Sequence, residues 1–164
     1  MPTPTSNAHL PYPMQLGSGT WDFIPGLTYV QTYETWSWGA QGLYTLRTGT
    51  NDNGYTLGDR YDVTAWAAKQ VAKSTSLSFR LKLSDWDNID GADEKLAPMP
   101  TVPTKDPDLR GGKRVDALVG INFVPPGLSS LRLAAEAGIP AYQKLDGPQL
   151  ETDLVFTLGA QYTF

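Results

Sequence analysis

The chain has 164 residues, with 17 Asp and Glu against 13 Lys and Arg, a formal net charge of -4 and no cysteine. That balance argues against a nucleic-acid surface, which needs clustered cations to neutralise phosphates, and the missing thiols exclude disulfides, thiol catalysis and thiolate metal sites. Hydrophobic residues make up 40% of the sequence without any run of about 18 apolar residues, which excludes a helical membrane protein and leaves β-structure as the way to carry five Trp, eight Tyr and sixteen Gly.

Residues 1–20 read as a Pro-rich N-terminal tail or a partial strand. Leu10, Tyr12, Met14 and Leu16 alternate weakly, but Pro11 and Pro13 withhold ladder donors. Met1 to Ala8 has neither the basic start nor the apolar stretch of a secretory signal, so the sequence is expected to be a mature, trimmed or partial form. His9 is the only histidine and has no strand to position it, so it is expected to be solvated, and a Ser/His/Asp hydrolase is not expected. No enzyme activity and no cofactor is expected.

From residue 21 to 164 the sequence reads as one β-domain. The first strand, Trp21 to Gln31, is rough, and Pro25 predicts a bulge or an edge position. The next places Trp36, Trp38, Ala40, Gly42, Tyr44 and Leu46 opposite Ser37, Gly39, Gln41, Thr45 and Arg47, because successive side chains of a strand point to opposite faces. Tyr61, Val63, Ala65 and Ala67 oppose Asp62, Thr64, Trp66 and Ala68. Leu77, Phe79, Leu81 and Leu83 oppose Ser78, Arg80, Lys82 and Ser84. Val115 to Phe123 and Leu131 to Ile139 repeat the pattern, with Asp116, Arg132 and Glu136 on their polar faces. The last strand, Leu154 to Phe164, carries Leu154, Phe156, Leu158, Ala160, Tyr162 and Phe164 on one side, and Asp153 begins the other.

The connections alternate: Thr32 to Thr35 short, Thr48 to Arg60 long, Val71 to Thr75 short, Asp85 to Lys113 very long, Pro125 to Ser130 short, Tyr142 to Thr152 intermediate. Up-and-down order gathers the short turns at one end, as in bacterial outer-membrane barrels. The expected fold is therefore all-β, an antiparallel up-and-down transmembrane β-barrel in the bacterial outer membrane, with seven or eight strands visible. Single-chain bacterial barrels have even strand numbers, so either Leu10 to Leu16 adds an eighth strand or the chain is part of a larger wall of about 12 strands.

Two aromatic girdles are expected, with Trp21, Tyr61, Trp86 and Tyr142 near the long-loop rim and Trp36, Trp38, Tyr162 and Phe164 near the short-turn rim. Candidate lumen residues carry both signs, Arg47, Arg80, Lys82 and Arg132 against Asp62, Asp116, Glu136 and Asp153, with Trp66 as an aromatic contact for a solute. In a small barrel they would fill the bore as an ion-paired network; in a larger one they would line a pore. The acidic loop 85–94 offers Asp87, Asp90 and Asp93 as a weak Ca²⁺ candidate, but its spacing is wrong for an EF-hand, and a solvated loop is the plainer reading. Asp146-Gly147-Pro148 reads as a turn.

Several stretches carry a family likeness: Tyr12-Pro13-Met14-Gln15-Leu16-Gly17-Ser18-Gly19-Thr20-Trp21-Asp22, Pro25-Gly26-Leu27-Thr28-Tyr29, Gly58-Asp59-Arg60-Tyr61 and Leu145-Asp146-Gly147-Pro148-Gln149-Leu150-Glu151-Thr152-Asp153. From Leu10 onward the chain resembles the C-terminal part of the MetA-pathway phenol-degradation transporter-like family. The resemblance implies an outer-membrane barrel and, in the whole family, a signal peptide and further upstream strands. The expected function is a passive channel or transporter-like protein for small, hydrophobic or aromatic molecules. Its partners would be outer-membrane lipid, a small-molecule solute, and other barrel or complex subunits. The alternative is a non-conducting structural barrel whose outer loops bind a partner. A third, a soluble barrel around an apolar ligand, would need the apolar faces turned inward.

Overall fold

The computed structural model describes residues 9–96 and 102–164. Ten strand segments occur among them: β1 (Trp21–Phe23), β2 (Gly26–Thr32), β3 (Trp36–Thr48), β4 (Tyr55–Thr56), β5 (Arg60–Ala72), β6 (Thr75–Trp86), β7 (Asp90–Gly91), β8 (Gly112–Phe123), β9 (Leu131–Leu145) and β10 (Val155–Tyr162). The main sheet runs β1/β2-β3-β5-β6-β8-β9-β10, antiparallel throughout. It curls into a half-barrel. Among the described residues no ladder joins β10 to β1 or β2, and neither edge has a further strand beside it.

β1 and β2 lie end to end along β3 in one unbroken register, Phe23 opposite Leu46 and Gly26 opposite Leu43. Pro25 accepts a hydrogen bond from the Tyr44 N–H at 3.0 Å but has no N–H to return, so the strand is interrupted there without a shift. Of the two positions expected for Pro25, the edge is the one observed. Bulges fall elsewhere, at Gln70/Ala72 on β5 and opposite Val115/Asp116 on β9, where Pro140 pairs with Asp116 and Tyr142 with Val115. The extra residue, Ala141, flips the alternation, which turns Tyr142 onto the apolar face. β9 continues to Leu145, past the expected end at Ile139, because this bulge lets the strand pass its proline. The last strand is shorter than its alternation suggests, covering Val155–Tyr162 and leaving Leu154 and Phe164 outside the ladder.

One face of the sheet is apolar and exposed. Val63, Leu77, Phe79, Leu81, Leu83, Val119, Ile121, Leu133, Ile139, Phe156 and Leu158 each leave 41–70% of their surface open. The concave face is polar and better covered: Ser84, Asp116 and Leu118 are buried there, while Asp62, Trp66, Arg80, Lys82, Arg114 and Glu136 are half-buried. This is the reverse of a soluble sheet, whose apolar side chains are the covered ones.

At the long-loop end the connections form a small cap. Tyr12–Met14 make a 3-10 turn, not a strand, since Pro11 and Pro13 cannot feed a ladder. Tyr12, Tyr55, Ile89 and Leu96 form a buried cluster, Leu57 packs against it, and β4 pairs with β7 beneath. Tyr12 meets Tyr55 edge-on, with ring centroids 5.0 Å apart.

Candidate functional site: the polar concave face and its cap

The candidate site is the concave face, whose charges are paired both along single strands and across neighbouring ones. Arg60 donates to Asp62 through Nε at 2.7 Å and Nη2 at 3.0 Å. Ser84 donates to the same carboxylate at 2.6 Å, and Lys82 stands 3.7 Å from it. Arg114 Nε lies 3.0 and 3.1 Å from the two oxygens of Asp116; the hydrogen bond goes to Oδ2, and Oδ1 is buried without one. Arg114 also reaches Thr152 at 2.8 Å. Arg47 sits 3.6 Å from Asp22 and donates to the Gly58 carbonyl.

The longest reach is Arg80 on β6 to Glu136 on β9, 2.9 Å, which spans β8. Gly120 makes room for it, since it pairs with both Ser78 and Glu136, and a Cβ there would stand 2.6 Å from Ser78 Oγ and 3.6 Å from Glu136 Cβ. Trp66 pairs with Gly39 on one side and Arg80 on the other. A Cβ at Gly39 would meet indole Cε2 and the Tyr29 carbonyl, each at 2.8 Å, so the ring lies flat over β3 only because residue 39 has no side chain. Gly39→Leu is expected to cost about 1–3 kcal/mol by forcing Trp66 out of place, measurable as a lower denaturant midpoint, with Ala40→Leu on the exposed face as the near-neutral control.

Six of the expected lumen charges, Arg47, Asp62, Arg80, Lys82, Asp116 and Glu136, thus share this face in ion pairs, and Trp66 lies among them. Arg132 faces the same side and, with Trp66, Arg80, Gln70 and Asn122, lines a cavity of about 560 Å³ at the short-turn end. Asp153 does not belong to the group, for it is exposed in the connection before β10. Three pairing residues escaped the sequence reading. Asp22 stands on the rough first strand, and Arg60 and Arg114 lie just beyond the expected ends of theirs, although each continues the polar parity of its strand.

The aromatics divide similarly. Trp21, Tyr61 and Tyr142 are exposed at the long-loop end and Trp36, Trp38, Tyr162 and Phe164 at the other, all but Phe164 within strands. Tyr44 stacks on Tyr61 at 4.4 Å and Tyr33 on Trp36 at 4.3 Å. Trp86 departs from this arrangement. It pairs with Arg60 and Gly112 on the polar face, donates its indole N–H to the Arg110 carbonyl at 2.9 Å, and lies under the Arg60 guanidinium, 5.7 Å from its centroid. One position earlier on β6 would have been outward, so parity, not proximity to the rim, decides its direction.

The cap is tied to the acidic loop through Asp93, while Asp87, Asp90 and Glu94 stay exposed. Asp93 is buried; it accepts from the Lys95 N–H at 2.9 Å and meets His9 Nδ1 at 2.6 Å, while its own N–H donates to the Tyr12 hydroxyl at 3.0 Å. His9 is therefore held by Asp93, and Asp87 and Asp90 do not join it: among the described residues no three potential ligands gather around a metal position. Asn88 accepts from the N–H groups of Arg110 and Gly111, and its amide donates to Asp146 at 3.3 Å, binding two long loops together. Gly147 takes a φ of 82° in the expected turn. Between cap and sheet lies a cavity of about 240 Å³ walled by Arg47, Arg60, Trp86 and Arg110.

Burial alone would raise the Asp93 carboxyl, but the hydrogen bonds from His9 and Lys95 outweigh it and hold the group below its ordinary 3.8. A carboxyl lowered on folding stabilises the cap above the ordinary value, and that contribution is lost as pH falls through the lowered one. Amide protection in residues 10–20, with the pH-dependent intrinsic exchange rate divided out, is expected to fall on acidification and to be lower at neutral pH in His9→Ala. Protection unaffected by either change would detach the cap from this contact.

No protein-family model matches the chain, and no curated protein matches it.

Proposed function

We propose that this chain forms part of the wall of an outer-membrane β-barrel that passes small molecules without energy coupling. The observation that carries the reading is the polarity of the sheet, exposed apolar residues on one face and ion-paired residues on the concave other, which suits lipid outside and water within. Strands of 12 to 15 residues in β3, β5, β6, β8 and β9 are long enough, since about 9–11 tilted residues cross a bilayer. The exposed aromatics near both ends fit interfacial girdles, and the short turns collect at one end as they do in the periplasm. The likeness of the Tyr12 to Asp22 and Leu145 to Asp153 stretches to the phenol-degradation transporter-like family points to the same location.

The concave face lets the reading be made chemical. Fixed charges of both signs, most of them ion-paired, line the face, and Trp66 adds an aromatic surface beside the 560 Å³ cavity. Small aromatic molecules are the proposed cargo. Liposome swelling with the complete protein tests it: faster entry of small aromatic solutes than of sugars of equal mass is expected, and the preference should fall at least several-fold in Trp66→Ala. Equal rates in both proteins would remove the proposed preference, and no swelling at all would favour a non-conducting barrel with a binding role for its loops.

A further inference from the structure

Among the described residues three buried side-chain polar atoms have no hydrogen-bond partner: Arg47 Nε, Arg110 Nη2 and Asp116 Oδ1. Asp116 Oδ1 still has its charge met, since Arg114 Nε stands 3.0 Å away. The other two belong to arginines that wall one cavity, the space of about 240 Å³ between cap and sheet. Buried polar groups are nearly always bonded, so two orphaned guanidinium donors around one space mark a position for an acceptor.

The charges around this cavity leave one cation over. Arg60 is held by Asp62 through two hydrogen bonds, and Arg47 has Asp22 at 3.6 Å, beyond hydrogen-bond reach but close enough to balance its charge. Arg110 forms no ion pair among the described residues, and residues 1–8 and 97–101 contain no Asp or Glu. Burial pushes its guanidinium down from the ordinary value, which Asp106 opposes only in part. Asp87, the acid on the cavity wall, is exposed and would repel a second negative charge.

Arg110 is also fixed in place. Its N–H donates to Asn88 Oδ1 at 2.7 Å, its carbonyl accepts from the Trp86 indole at 2.9 Å, and its Nε donates to the Leu109 carbonyl at 2.8 Å. Tyr12, Pro13, Leu57 and Ile89 add apolar surface to the same wall. We propose that this cavity binds a small monocarboxylate, with Arg110 and Arg47 donating to its oxygens and these apolar side chains against its hydrocarbon part. A sulfate ion would bring more charge than one unbalanced guanidinium calls for, and no hydrocarbon for the wall. The site stands apart from the membrane reading, since it lies between the cap and the polar face whatever bathes the other face.

The test is calorimetric titration of the complete protein, solubilised in detergent, with butyrate, with its neutral isostere butyramide and with sulfate. Saturable binding of butyrate is expected. Affinity should fall about ten-fold or more for butyramide, and for butyrate on Arg110→Met, since each change removes a charge-assisted hydrogen bond. Lys144→Met, which removes an exposed positive charge at the same end of the sheet, is expected to leave the affinity unchanged. Arg110→Lys keeps the charge without the two-pronged donor and should weaken binding several-fold, which carries the test if Arg110→Met fails to fold. No saturable binding of butyrate to the folded parent would mean that water alone meets these arginines. Equal affinity for butyrate and butyramide, or unchanged affinity in the Arg110 variants, would place the binding elsewhere, and tighter binding of sulfate would make this a site for mineral oxyanions. Each of these three results would overturn the assignment.

Discussion

Leu81→Arg is expected to abolish stable insertion of the sheet into lipid, at a cost of about 2–4 kcal/mol if the residue lies near the midplane. Leu81 sits midway along β6, pairs with Ala65 and Ala117 and is 44% exposed. In a soluble protein an arginine on such an exposed site would change stability by no more than about 0.5 kcal/mol. The substitution therefore separates solvents as well as testing a residue. Its measurement is the urea midpoint of the complete protein in lipid vesicles, with Lys82→Arg on the opposite face as a control that keeps the charge. A Leu81→Arg midpoint equal to that of the parent would show that water, not lipid, bathes this face.

Asp116→Ala is expected to destabilise the fold by about 3 kcal/mol, because breaking a buried pair from one side leaves its partner charge uncompensated. Asp116 is 2% exposed, and Arg114, whose side chain is 22% exposed, retains only Thr152 as a strong partner once the carboxylate is gone. The site also lies at the β9 bulge, where Asp116 faces Pro140, so there is little freedom for the backbone to bring another acceptor. The double variant Arg114→Met with Asp116→Ala is expected to recover much of the loss, since removing both charges also removes the cost of burying one alone. Equal destabilisation in single and double variants would assign the effect to lost packing.

By contrast, the Arg60–Asp62 and Lys82–Asp62 contacts are half-exposed and should contribute less individually, as solvent screens them. Arg80–Glu136 differs in spanning a whole strand, and it depends on Gly120 as much as on its own two charges.

The long strands, their up-and-down order and the polar face of each are legible along the chain, because a period of two is written directly in residues such as Leu77 to Ser84 and needs no distant partner to be read. The sequence also contained the edge at Pro25 and the alternation of short and long connections. Contacts that depend on two strands at once came from the fold. The pairing of Arg80 with Glu136 and the burial of Asp93 under His9 involve residues far apart in sequence, and their meeting follows from register and curvature. Tyr142 shows the limit most plainly: read along β9 from Leu131 it would face the polar side, and one unpaired residue at Ala141, fixed by the ladder to β8, turns it to the other.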